Sequence, residues 1–191
     1  MSSLRIALYG GTFDPVHHGH LILARDAIEQ LSLDRVIFIP AAISPHKPGT
    51  TPAPARARWE MLQAAIAGDP RFALDACELE RPGPSFAIET VEILQQQCQG
   101  AALFYLIGED NVAKLHTWHR VDDLRSLVTF VVFDRGHTRV PHEMPKLSRR
   151  IDISATEIRR RIGRNLPIDY FVPPAVATLI AQHHLYQEPA H

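Results

Sequence analysis

Two rhythms of apolar residues alternate along this chain. Short, nearly unbroken apolar runs at 5–9, 35–40, 101–107 and 127–133 read as strands buried on both faces. Residues 72–80 and 150–153 read as further strands. Between them the apolar positions shift to helical spacing. Over 20–31, Leu21, Ala24, Ile28 and Leu31 fall on one face. Helices are predicted likewise over 55–67, 86–97, 155 to about 162, and 173–184, with a helical stretch after Gly108 that carries Trp118 near its end. Strands alternating with helices predict an α/β fold: a Rossmann-like, doubly wound, mainly parallel sheet with helices on both faces. One domain over 1–191 is expected.

The breaks between elements carry the rest. Such sheets bind ligands beyond the carboxyl ends of their strands, where strand order reverses. The loops with unusual residues all follow strands: 10–20, the proline-rich 41–54, 108–110, and 154–159. A loop as long as 41–54 inside a compact domain is often a binding segment.

Composition narrows the class. Of 191 residues, 46% are hydrophobic and 21% charged, and the net charge is −1, so no broad basic field draws nucleic acid or anionic membrane. The basic residues around Arg159, Arg160 and Arg161 form only a local cluster. Two cysteines, Cys77 and Cys98, point to a reducing cytoplasm rather than a disulfide framework. The start has no apolar signal core and no run reaches membrane-spanning length.

Gly10-Gly11-Thr12-Phe13-Asp14-Pro15-Val16-His17-His18-Gly19-His20 links the first strand to the first helix. Gly10 and Gly11 permit close backbone approach to a ligand. His17 and His20 are one turn apart at a helix start, where anions are favoured and a protonated imidazole can meet a phosphoryl oxygen as charge develops. The other readings are a capped surface turn or half a metal site, but no neighbouring cysteine or carboxylate completes the latter. G-x-G-x-x-G is absent, so a dinucleotide-cofactor fingerprint is not present.

Three further segments stand out. Ser154-x-x-Glu157 is a capping box, and the helix it opens carries Arg159. Gly108-Glu109-Asp110 ends a strand and suits a ribose. Trp118 stacks on a ring or packs in the core.

Gly-Thr-Phe-Asp-Pro-x-His-x-Gly-His, complete over 11–20, resembles the signature of the nucleotidyltransferase superfamily. Ile153-Ser-x-Thr-x-Ile-Arg159 resembles its second signature. Gly108-x-Asp110 with Trp118, the Pro45-His46-Lys47 segment, Arg58-x-x-Met61-Leu62 and Ser85-Phe86-Ala87 are similar to the bacterial nicotinate-nucleotide adenylyltransferases. The resemblance spans residues 6 to about 180. It implies transfer of AMP from ATP, with Mg²⁺ on its phosphates, to nicotinate mononucleotide. It implies catalytic roles for His17, His20 and Arg159, with ATP held by Gly10, Gly11, Thr12, Phe13, Gly108, Asp110, Ser154 and Arg159. It assigns the acceptor to Lys47, Ser85, Phe86, Ala87, Trp118 and His119. A dedicated protein metal cage is not implied. Where relatives often have Ser-Tyr-Thr this chain has Ser85-Phe86-Ala87, so contacts there fall to backbone N–H groups. Glu109 stands where small residues are common. The alternatives are nicotinamide mononucleotide or phosphopantetheine as acceptor, or a nucleotide-binding module without turnover.

Overall fold

Six parallel strands in the order β3-β2-β1-β4-β5-β6 make up the sheet of the computed structural model, which describes residues 3–42, 51–81, 83, 85–134 and 142–187. The strands are β1 (Arg5–Gly11), β2 (Arg35–Pro40), β3 (Phe72–Leu74), β4 (Ala102–Gly108), β5 (Thr129–Asp134) and β6 (Lys146–Ser148). The helices are α1 (His18–Gln30), α2 (Ala55–Ile66), α3 (Cys77–Glu80), α4 (Ala87–Gln97), α5 (Glu109–Val112), α6 (Val121–Leu127), α7 (Ala155–Gly163) and α8 (Pro174–Gln182). A 3₁₀ turn covers Leu115–Thr117.

The pleat sends alternate side chains to opposite faces, and both faces are covered. Ala7, Tyr9, Phe38, Leu106 and Phe133 point into one core with apolar residues of α1, α2, α7 and α8. Ile6, Leu8, Ile37, Ile107 and Val132 point into the other, with residues of α4 and α6. Continuous apolar runs in the sequence are the direct result.

Strand order reverses between β1 and β4. There β1 pairs with β2 through Gly11↔Pro40, but with β4 only as far as Leu8↔Tyr105. The last residues of β1 and β4 therefore separate, and a crevice opens between them, as expected at a topological switch point.

Four predicted elements differ. Residues 72–80 form a three-residue strand and then α3, because Asp75 turns the chain by accepting the Cys77 N–H at 2.9 Å. The segment after Gly108 is α5, the 3₁₀ turn and a separate α6, with strand β5 starting only at Thr129. The expected strand at 150–153 is irregular, while the sixth strand is Lys146–Ser148, just before it. Ile151 and Ile153 alternate like strand residues, yet they pack against the α1-side core without joining the ladder.

Candidate active site

The crevice beyond β1 and β4 is a cavity of about 730 Å³. Its walls carry Gly10, Gly11, Thr12, Gly108 and Asp110 from the strand ends. Ser85, Phe86 and Ala87 come from the start of α4, and Trp118 and His119 from the segment after the 3₁₀ turn. The sequence thus named ten of the residues around it. Gly10 is required for its shape: a Cβ there would lie 2.9 Å from the Tyr105 hydroxyl. Trp118 packs edge-on to Tyr105 and Phe130 at 6.0 and 6.2 Å while facing the cavity, so core packing and ligand contact coexist. The Phe86 and His119 rings meet at 4.8 Å.

His17 is the N-cap of α1, in extended conformation, and His20 is the third helical residue. Their rings stack at 3.7 Å between centroids. The His17 backbone N–H donates to His20 Nδ1 at 3.2 Å. Nδ1 accepts in that contact, which belongs to the tautomer with its N–H at Nε2. His17 is buried, and His20 half-buried against Phe13 at 5.0 Å and Tyr9 at 6.1 Å. Gly19 keeps the pair together, since a Cβ would stand 3.0 Å from the His17 ring.

Phe13, expected on ATP, is buried with a left-handed φ of 47° and buttresses His20 instead of lining the cavity. His17, His20, Ser154 and Arg159 also stand outside the cavity wall; the loop from Gly10 to His17 joins the wall to the histidine pair.

The second signature folds back onto this loop. Ser154 is the N-cap of α7 and accepts the Glu157 N–H at 3.2 Å. The capping box is half made, because the Glu157 carboxylate turns to Arg160 at 2.7 Å. Arg159 donates to the Asp14 carbonyl at 2.7 Å, and its guanidinium lies 3.7 Å from the Asp14 carboxylate. Lys47, with Pro45 and His46, lies outside the described residues.

Three groups around the site have roles that sequence reasoning did not assign. Asp14, almost buried, accepts from the Ala53 N–H at 3.0 Å and the Tyr186 hydroxyl at 2.7 Å. Arg58, buried in α2, donates to the carbonyls of Thr12, Ala41 and Ala53 at 2.8, 2.7 and 2.9 Å. It thereby fixes the exits of β1 and β2; burial lowers its pKa and the Asp14 charge opposes that. Glu78 lines the cavity and accepts a hydrogen bond from the Thr90 hydroxyl at 2.8 Å; burial raises its pKa. Nothing in the apolar pattern marks a buried arginine or glutamate. Asp14 had a signal in its place inside the first signature, and Arg58 in the Arg58-x-x-Met61-Leu62 match.

A family model described as cytidylyltransferase-like matches residues 8–161. Among curated proteins, the probable nicotinate-nucleotide adenylyltransferase of Bacillus pumilus is 41% identical over 190 residues, covering 96% of this chain and 98% of its own. The nicotinate-nucleotide adenylyltransferase of Bacillus subtilis is 36% identical over 186 residues, with coverage of 96% and 98%. Among solved structures, a Plasmodium falciparum nicotinic acid mononucleotide adenylyltransferase complexed with NaAD superposes with a TM-score of 0.78 at 17% identity, over 96% of this chain and 97% of that one. At that identity the likeness speaks to the fold.

Proposed function

The chain belongs to the cytidylyltransferase-like family and, within it, to the nicotinate-nucleotide adenylyltransferases, and we propose that it transfers AMP from ATP to nicotinate mononucleotide in NAD biosynthesis. An oxygen of the acceptor 5′-phosphate attacks the α-phosphorus of ATP in line. The new O–P bond replaces the bond to the β-phosphate; pyrophosphate leaves and nicotinate adenine dinucleotide forms. The acceptor phosphate is already a nucleophile, so the protein's work is positioning and charge stabilisation.

One observation carries this reading. The two signature segments, 145 residues apart, meet through the Arg159–Asp14 hydrogen bond of 2.7 Å beside the switch-point cavity. In the arrangement we favour, the Gly10–Thr12 backbone cradles the triphosphate and His17 and His20 donate to α-phosphoryl oxygens. Arg159 and the α7 N-terminus with Ser154 hold the β- and γ-phosphates, a contact that suits a guanidinium fork. Gly108 and Asp110 face the ribose. Trp118 offers its face to the pyridine ring, and backbone N–H groups near Ser85, Phe86, Ala87 and His119 meet the nicotinate carboxylate. Lys47 is the reading for the acceptor phosphate.

Among the described residues no group of three or more His, Cys, Asp or Glu is placed to hold a metal ion. We read Mg²⁺ as carried in on the triphosphate oxygens. When bound it neutralises phosphate charge. A reducing compartment suits Cys77 and Cys98, which are both free thiols.

The test is pyrophosphate release from ATP and Mg²⁺ with each acceptor in turn. Turnover with nicotinate mononucleotide well above that with nicotinamide mononucleotide or phosphopantetheine is expected. Preference for the amide, or activity only with phosphopantetheine, would overturn the acceptor assignment; no release with any acceptor would leave a binding module.

A further inference from the structure

Three remote segments converge on one carboxylate. Asp14 Oδ1 accepts from the Ala53 N–H at 3.0 Å, at the approach to α2, and from the Tyr186 hydroxyl at 2.7 Å, beyond the end of α8. Oδ2 faces Arg159 at 3.7 Å, while the Asp14 carbonyl accepts from the same guanidinium at 2.7 Å. Among the described residues the other guanidinium nitrogen reaches only Thr156 Oγ1, at 3.4 Å, and the side chain is 37% exposed. Arg159 is therefore anchored at one nitrogen and open at the other.

The ion pair's length is the informative quantity. A relaxed arginine–carboxylate pair closes to about 2.7–2.9 Å and tends to become bidentate. Here two donors occupy Oδ1 and hold the carboxylate turned, so Oδ2 stands off at 3.7 Å. Arg149 and Asp26, 123 residues apart, do close as a fork with both contacts at 2.6 Å. A fully paired Arg159 would have less to offer a phosphate.

We propose that Tyr186 is a positioning residue for ATP: by holding Asp14 Oδ1 it keeps the carboxylate from closing on Arg159 and leaves the guanidinium free for the β- and γ-phosphates. The inference rests on the reading of Arg159 as a phosphate ligand. The phenol is suited to the task. Burial, and then its bond to Asp14, push its pKa upward, so it stays a donor throughout the working range. Arg58, which adds positive charge beside both groups, donates elsewhere, to the carbonyls of Thr12, Ala41 and Ala53. It therefore does not replace the hydroxyl.

The experiment is steady-state kinetics on the full chain with Tyr186→Phe, Arg159→Ala and the double variant. The phenylalanine keeps the ring and removes only the donor. A hydrogen bond to a charged group, transmitted in part, corresponds to a rise in KM for ATP of about three- to tenfold. The value of kcat, the KM for nicotinate mononucleotide and the melting temperature are expected to hold. Arg159→Ala should raise KM for ATP further, and adding Tyr186→Phe to it should change nothing more. If Arg159→Ala raises KM for ATP and Tyr186→Phe does not, the inference fails and the phosphate reading survives. Additive effects, or a uniform decline with lost stability, also overturn it, since Tyr186 would then act independently of Arg159. An unchanged KM for ATP in Arg159→Ala removes the phosphate reading itself and this inference with it.

Discussion

We read His20 in two roles: its Nδ1 caps the helix through the His17 N–H, and its Nε2 is the atom proposed for the chemistry. The two are separable. Glutamine at the third helical position can accept the same N–H, as in a capping box. His20→Gln should therefore keep the melting temperature, whereas His20→Ala should lose about 0.5–2 kcal/mol of cap stability. Both should lower kcat by roughly a hundredfold to a thousandfold, the loss expected for one donor at a developing oxyanion. Turnover near that of the parent in a folded His20→Gln enzyme would remove the histidine from the chemistry. The histidines were legible because a ten-residue signature is specific. The Asp14 hub was not, since its partners lie 39, 145 and 172 residues away and only the fold joins them. Phe13 sat inside the signature yet supports His20 from below, a distinction that only packing makes.

Elements with a long apolar run or a full helical face announced themselves. β2 matches its predicted limits, and α1, α2 and α4 lie close to theirs because each buries several residues; α7 and α8, which bury one and two, were bounded instead by the Ser154 cap and by Pro173 and Pro174. β6 gave no such sign: of its three residues only Leu147 is buried. α6 is seven residues long and buries only Leu124, too little to show a period. Between elements, the exits of β1 and β2 depend on the Arg58 guanidinium. Arg58→Met fills similar space but leaves the carbonyls of Thr12, Ala41 and Ala53 without their donor. At roughly 1–3 kcal/mol per unsatisfied buried group, the loss is at least about 3 kcal/mol. That lowers the melting temperature by about 10 °C for a chain of this size. A calorimetric shift within a degree or two of the parent would show that water or repacking satisfies these carbonyls.

At the scale of the molecule, strand order places the loops after β1 and β4, with the start of α4, around one end of the sheet. β1 and β4 part after Leu8↔Tyr105, and the separation makes the cavity without any dedicated domain. That end also holds Glu78, whose pKa is raised chiefly by burial. An acid raised in the folded state contributes fully below its unfolded value of 4.5, and the contribution is lost as pH rises through the folded value. Glu78→Gln keeps an acceptor for Thr90 but does not ionise. The variant should therefore gain stability relative to the parent as pH is raised above 4.5, read as the difference between their melting temperatures; a difference that shrinks with pH would contradict the assignment.

The central claim is that the bond broken lies between the α- and β-phosphates and that the AMP unit ends on nicotinate mononucleotide. ATP labelled with radiophosphorus at the α position, incubated with Mg²⁺, the acceptor and the full chain, tests it in one chromatogram. The label should move into nicotinate adenine dinucleotide, with unlabelled pyrophosphate formed in equal amount. Label left in ADP, released as free AMP, or transferred only when the acceptor is replaced by another phosphate would contradict it.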